Sequence, residues 1–173
     1  MDRSAEVRAF VAARGSALSR TAYLLTGDRH AAEDLVQETY VEMVRRWSRI
    51  ERGNPEPYVR RIMYSRFIDG LRRRRLSEWP SDALVEVADR DHEASDAVDR
   101  IALTGALAQL TPRQRAFLVL RFYDDLTEVQ TAQALGVSTS TVKSQTRVAL
   151  QRLRELSPEL VTAFRDVAEE VAE

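Results

Sequence analysis

The sequence predicts an all-α protein of two small helical domains joined by an acidic flexible linker. Apolar residues recur at helical spacing over most of the chain, and no segment shows the alternation typical of strands. Charge is also segregated along the chain, although the formal net charge is only −1. With 173 residues and 44% hydrophobic content, the chain is long enough to bury one fair core or two small ones.

The first domain is predicted to span residues 1–75 and to begin with two helices. The first helix is expected to end near Thr26-Gly27, and Asp28 has the character of an N-cap for the second helix. Each helix carries a stripe of residues expected to be buried: Val7, Phe10, Val11, Leu18 and Leu25 in the first, and Ala32, Leu35, Val36, Thr39, Met43 and Trp47 in the second.

The outer face of the second helix is predicted to carry a row of carboxylates. Asp34, Glu38 and Glu42 follow one another at intervals of four residues, with Gln37 beside them. Such a row is often a solvated helix face, and a metal site is a weaker reading. The pattern favours a basic protein partner over either.

A third helix is predicted from about residue 56 to 74, after a loop marked by Gly53, Pro55 and Pro57. Residues 58–75 hold seven arginines against a single acid. Aromatic side chains beside arginines suit unpaired nucleic-acid bases, since the rings stack on bases and the arginines bind phosphates. Phe67 and part of Trp47 are expected in the core, which leaves Tyr64 as the aromatic residue expected at the surface.

The linker, predicted at residues 76–97, reverses this charge. Residues 76–99 hold eight acids against Arg90 alone, and Pro80 and short polar stretches predict an irregular chain.

The second domain, predicted at residues 98–156, contains a pattern typical of a helix-turn-helix. Thr111 and Thr127 each begin a capping-box sequence, Gly136 lies where a tight turn needs positive φ, and Ser138 is placed to cap the last helix. Ala132, Val137 and Val142 are expected to fill the space between the two helices. The residues left facing outward suit phosphate and base-edge contacts: Ser140, Thr141, Lys143, Ser144 and Arg147.

The remaining residues, 157–173, are predicted to form an acidic C-terminal tail helix. The tail either packs on the second domain as an ordinary terminal helix, which is the more common arrangement, or shields basic DNA-binding surface by charge complementarity.

Composition argues against several other classes of protein. The chain has no cysteine, and His30 and His92 lie in no catalytic or metal-binding motif, so we expect neither an enzyme, a metal site, a cofactor nor a small-molecule substrate. No apolar run reaches the length of a membrane span and no signal-peptide pattern is present, which favours a cytoplasmic protein without membrane insertion.

Taken together, the two domains resemble an RNA polymerase sigma factor of the extracytoplasmic function class (group 4) of the sigma-70 superfamily. Three motifs carry the resemblance, which covers about residues 6–156: AAEDLVQETY at 31–40, YVRRIMYSRFID at 58–69 with the arginines that follow, and LTPRQR at 110–115 before the helix-turn-helix. The RRIM phrase is similar to the actinobacterial SigE-like branch of this class.

The resemblance implies a role for each surface. Residues 1–75 correspond to sigma region 2 and residues 98–156 to sigma region 4, which bind core RNA polymerase through the β′ clamp helices and the β flap. The implied polymerase-binding residues are Asp34, Gln37 and Glu38; those for recognition and melting of the minus 10 element are Arg60, Arg61, Tyr64, Ser65, Arg72 and Arg73; those for the minus 35 element are Ser138, Ser140, Thr141, Lys143, Ser144 and Arg147. Many members are also held by an anti-sigma factor.

One departure from the family pattern concerns Ser65, where many members carry asparagine. Serine has less hydrogen-bonding capacity than asparagine, so the minus 10 base preference does not follow from the resemblance.

The alternative function is a stand-alone helix-turn-helix regulator, which would bind duplex DNA unaided and would have no use for the acidic row.

Overall fold

The computed structural model describes residues 2–50, 54–76 and 103–158, without the side chains of residues 75 and 76. The chain divides into two compact units, residues 1–80 and 81–173. All secondary structure in the described ranges is helical, which confirms the predicted fold class. Apart from Leu76, which ends the third helix, the predicted linker lies outside the described residues, as does nearly all of the predicted tail helix.

The first unit is built from three long helices. They are α1 (Arg3–Thr26), α2 (Arg29–Arg46) and α3 (Glu56–Leu76), with a 3₁₀ turn at Trp47–Arg49. As predicted, α1 ends at Gly27, which has a φ of 70°, and the Asp28 carboxylate caps α2 by accepting from the Ala31 N–H at 2.7 Å.

The core of this unit lies where α2 contacts both α1 and α3. Trp47 closes one end, because its ring packs edge-on against Phe10 at 5.9 Å and its Nε1 donates to Glu6 at 3.0 Å. The large buried side chains are Phe10, Leu18, Leu25, Leu35, Val36, Met43, Ile50, Val59, Ile62, Met63, Tyr64 and Phe67.

Tyr64 corrects one expectation about the surface, since its side chain is only 2% exposed. Helix α3 contacts α1 as well as α2, so its buried arc is wider than the single stripe used in the prediction. Tyr64 is therefore a core residue, and the prediction that it lies at the surface is wrong.

Glu42 corrects a second expectation, since it is 8% exposed and does not continue the exposed carboxylate row. Its carboxylate pairs with Arg46, with Arg66 of α3 at 2.9 Å and with Arg45 at 3.8 Å. Burial raises the pKa of Glu42, but the attraction of Arg46, Arg66 and Arg45 outweighs it and lowers the pKa below its usual value. The pair between Glu42 and Arg66 joins α2 to α3.

The second unit is built from shorter helices. Residues 103–108 are helical (α4), followed by α5 (Pro112–Leu118), a π-helical turn at Val119–Tyr123, α6 (Glu128–Leu135) and α7 (Thr139–Leu156). Both predicted capping boxes are present, at Thr111 and Thr127. The π-helical turn was not predicted; it ends at Tyr123, and two residues further on Asp125 lies in the left-handed region at a φ of 51°.

Arg115 is a buried cation in the core of this unit. Its guanidinium donates to two carbonyl oxygens: that of Leu107, in the last turn of α4, at 2.9 Å, and that of Leu110, just after α4, at 3.3 Å. Burial lowers the pKa of Arg115 to about 10, so the side chain remains charged at neutral pH. It ties α4 to α5.

Replacement of Tyr64 by alanine should destabilise the first unit by about 3–5 kcal/mol, because it empties a core site of aromatic size. Chemical denaturation followed by circular dichroism measures the loss. Ser65→Ala is the matched control on the exposed side of the same helix, with an expected change within about 0.5 kcal/mol. A Tyr64→Ala variant as stable as the parent would contradict the burial.

Replacement of Glu42 by glutamine should lower the thermal midpoint at pH 7 more than at acidic pH. Because the folded-state pKa is lowered, the stabilisation is full above the unfolded-state pKa and is lost as the pH falls through the folded-state value. The gap between variant and parent should therefore narrow below about pH 4.5. Glu33→Gln, which removes an exposed pair with Arg29, should change little at either pH.

Candidate nucleic-acid interface

Helices α6 and α7 form the predicted helix-turn-helix. Gly136 provides the tight turn with a φ of 64° and a ψ of 41°, and the Val137 N–H donates to the Ala132 carbonyl at 3.0 Å. Ala132 and Val142 are buried between the helices as predicted, whereas Val137 is only half-buried. The turn sets the direction of α7 relative to α6.

The first turn of α7 is organised by hydroxyl groups. The Ser138 Oγ accepts from the Thr141 N–H at 3.2 Å and lies 2.9 Å from the hydroxyls of Ser140 and Thr141. Ser144 in turn donates to the Thr141 carbonyl at 3.1 Å. Ser138 is thus the N-cap as well as a predicted DNA contact, and its exposed hydroxyl satisfies a backbone N–H in the first turn of the helix.

The structure brings the predicted minus 35 residues together on the outer side of α7. Ser140, Lys143, Ser144 and Arg147 are exposed, and Thr141 is half-buried. Lys143 lies 3.6 Å from the Glu128 carboxylate, an exposed pair that a competing phosphate could displace.

Helix α3 presents a second basic face, formed by Arg61, Ser65 and Arg72. All three are exposed, and their spacing of four and seven residues places them on one side of the helix. Arg60 is not part of this face, because it is half-buried and bound to Glu56 at 3.0 Å. Tyr64, as a core residue, also lies away from it.

Helix α2 carries a docking row along its exposed side, which we define as Asp34, Gln37, Glu38, Val41 and Val44. The polar three are exposed as predicted, and the structure adds Val41 at 51% and Val44 at 44% exposure. The sequence did contain a signal for the two valines, since neither fits the spacing of the buried stripe of α2.

An ion pair between Arg73 and Glu38 links the docking row to the basic residues of α3. The Arg73 guanidinium lies 3.9 Å from the Glu38 carboxylate, and both side chains are at least half exposed. Arg73 therefore faces α2, away from the face that carries Arg61 and Arg72.

Neither a metal site nor a membrane span is found among the described residues. Among the described residues, no group of three histidine, cysteine or acidic side chains is placed to hold a metal ion. In the same part of the chain, no helix combines the length and the apolar character that crossing a membrane requires.

Comparison with protein families and known proteins agrees with this arrangement. Residues 10–77 match the family "Sigma-70 region 2", and residues 106–155 match "Sigma-70, region 4". The RNA polymerase sigma-E factor of Streptomyces coelicolor is 37% identical over 151 residues, which cover 87% of this chain and 85% of that protein. The ECF sigma factor SigE of Mycolicibacterium smegmatis is 34% identical, over 79% of this chain and 55% of that protein.

A solved structure shows the same fold. The sigma factor RpoE from Bartonella quintana, crystallised with the anti-sigma factor NepR, superposes with a TM-score of 0.68 at 26% identity, covering 86% of this chain and 94% of that one.

These matches decide between the two functions left open by the sequence, in favour of an initiation factor over a stand-alone regulator. Sigma factors are non-enzymatic transcription initiation factors. The chain belongs to the extracytoplasmic function sigma factors of the sigma-70 superfamily, and it directs transcription initiation.

Proposed function

We propose that the three exposed surfaces divide the work of initiation. The docking row of α2 binds the β′ clamp helices of core RNA polymerase, the basic face of α3 binds the opened minus 10 element, and α7 reads the minus 35 element. The docking row is the observation that carries this proposal, because its two exposed valines continue the polar row of Asp34, Gln37 and Glu38 along one side of α2, a combination that suits a protein interface.

The docking row has the composition of a protein interface. Protein interfaces commonly place apolar side chains at the centre and polar ones at the rim. Val41 and Val44 supply the apolar centre, and the carboxylates of Asp34 and Glu38 supply charge that a basic partner surface would complement.

The basic face of α3 suits a single-stranded backbone. Arg61 and Arg72 bind phosphates, and Ser65 between them offers one hydroxyl to a base. Base stacking does not involve Tyr64, whose ring is buried, so capture of a flipped base falls to the loop at residues 49–57. Residues 51–53 of that loop lie outside the described residues.

The face of α7 suits duplex DNA. Lys143 provides a point charge for a phosphate, and Arg147 a planar fork that matches guanine in the major groove. Ser140, Thr141 and Ser144 add short hydroxyls near the N-terminus of the helix, the part that enters the groove in helix-turn-helix proteins.

Partners follow from the same assignment. Besides core polymerase and promoter DNA, we infer an anti-sigma factor, because a relative of the same fold was crystallised with one. Contact with the β flap and a cytoplasmic location complete the proposal, which requires no cofactor, small-molecule substrate or catalytic residue.

Reversal of charge in the docking row should abolish transcription. In run-off transcription with actinobacterial core polymerase on a genomic promoter library, Asp34→Arg with Glu38→Arg should lose all protein-dependent transcripts. Val41→Asp should lower their yield about tenfold, since it places a charge at the centre of an interface.

Ala12→Asp is the matched control, at an exposed position on α1, and should leave the transcripts unchanged. Normal transcription by Val41→Asp would show that α2 docks elsewhere. Absence of transcripts from the parent chain, together with binding of duplex DNA by the chain alone, would instead favour a stand-alone regulator.

Replacement of Lys143 by alanine should weaken binding of the minus 35 duplex by a similar factor for all sequences. The slope of log K against log salt concentration should fall by about 1, as expected for one lost phosphate contact. Arg152→Ala, on another side of α7 and paired with Glu155 at 3.0 Å, is the control and should leave the slope unchanged. A sequence-selective loss in Lys143→Ala would reassign Lys143 to base contact.

A further inference from the structure

A basic groove runs beside α7, and part of it extends beyond the residues assigned to DNA. It encloses about 710 Å³ between α7, the start of α6 and the π-helical turn. Its cations are Arg121, Lys143, Arg147 and Arg154, and the side chain of Leu150 lies among them. We call this space the α7 groove.

The cations of the α7 groove are only partly neutralised. Two carboxylates also line the groove: Glu128, which pairs with Lys143, and Glu155, which pairs with Arg152 outside the groove. Arg121 donates to the neutral carbonyl of Leu126. Arg147 and Arg154 form no ion pair with any residue in the described ranges. The groove therefore keeps an excess of positive charge, which suits an acidic ligand.

We propose that the α7 groove receives the acidic tail of the same chain, residues 159–173, and that the tail competes there with promoter DNA. The competition rests on the proposed role of α7 in minus 35 binding. The tail supplies five acids against Arg165 alone: Glu159, Asp166, Glu169, Glu170 and Glu173. It also carries apolar residues, among them Phe164 and Val167, that suit contact with Leu150.

Chain length permits this contact. Helix α7 ends at Leu156, and at 1.5 Å per residue Lys143 lies about 20 Å back along the helix. The fifteen residues of the tail reach about 22 Å as a helix and about 50 Å when extended. In either conformation the tail acids reach from Arg154 to Lys143.

Tethering decides the competition. A segment joined directly to α7 is present at a high effective concentration, so weak ion pairs suffice to occupy the groove in the free protein. Because the groove shares Lys143 and Arg147 with the proposed DNA face, bound duplex and bound tail exclude each other. With the tail in the groove, α7 binds DNA only where a full promoter and polymerase together outcompete the tail.

The first test observes the tail without DNA, so its result is independent of the proposed function. The chain has no cysteine, which makes Ala172→Cys a unique site for a nitroxide spin label. In NMR spectra of the full chain, the label should broaden the amide signals of Lys143 and Arg147. The broadening should vanish when Glu169, Glu170 and Glu173 are replaced by glutamine; equal broadening with either tail would overturn the proposal.

The second test measures competition. Deletion of residues 159–173 should raise the affinity for a fluorescent duplex at low salt about fivefold, consistent with a few exposed ion pairs, and the gain should disappear at high salt. Arg154→Gln is the discriminating variant, because Arg154 lies in the groove but outside the predicted DNA contacts. It should raise the affinity of the full chain and leave that of the truncated chain unchanged.

Two outcomes would overturn the competition. One is an affinity that does not change on deletion of the tail. The other is an Arg154→Gln variant that weakens the truncated chain as much as the full one, since the groove would then bind DNA alone. A truncated chain that binds no duplex would refute the DNA-binding role of α7 itself, while the spin-label result would still decide whether the tail lies in the groove.

Discussion

The packing of α2 against α3 is the constraint on which the first unit depends. Both helices bury apolar side chains, among them Leu35 of α2 and Met63 of α3, and the pair between Glu42 and Arg66 joins the helices at 2.9 Å. Because Glu42 also holds Arg45 and Arg46, one nearly buried carboxylate neutralises arginines from both helices. The rotation of each helix is thereby set, and with it the residues that remain outside.

The outward sides of the two helices carry different chemistry as a result. Helix α2 exposes carboxylates around Val41 and Val44, whereas α3 exposes Arg61 and Arg72. Glu38 and Arg73 meet at the boundary. One rigid interface thus presents a surface suited to a protein and a surface suited to a nucleic-acid strand, which is what a factor that links polymerase to opened DNA requires.

Local signals predicted the second unit better than the first. The capping boxes at Thr111 and Thr127 and the turn at Gly136 depend on residues three or four positions apart, so sequence alone was sufficient to predict them. The positions of Tyr64 and Glu42 depend on contacts between helices far apart in the chain, and the prediction therefore placed both at the surface. The same limit applies to Arg115, whose burial depends on carbonyl groups exposed at the end of α4.

The most direct test of the central claim places a photo-crosslinking amino acid at Val41 and exposes the protein to core polymerase. The account predicts a crosslink to the β′ subunit that is absent when the same amino acid replaces Ala12 on α1. Equal crosslinking from both positions, or a crosslink from Val41 to another subunit alone, would contradict the assignment of the docking row.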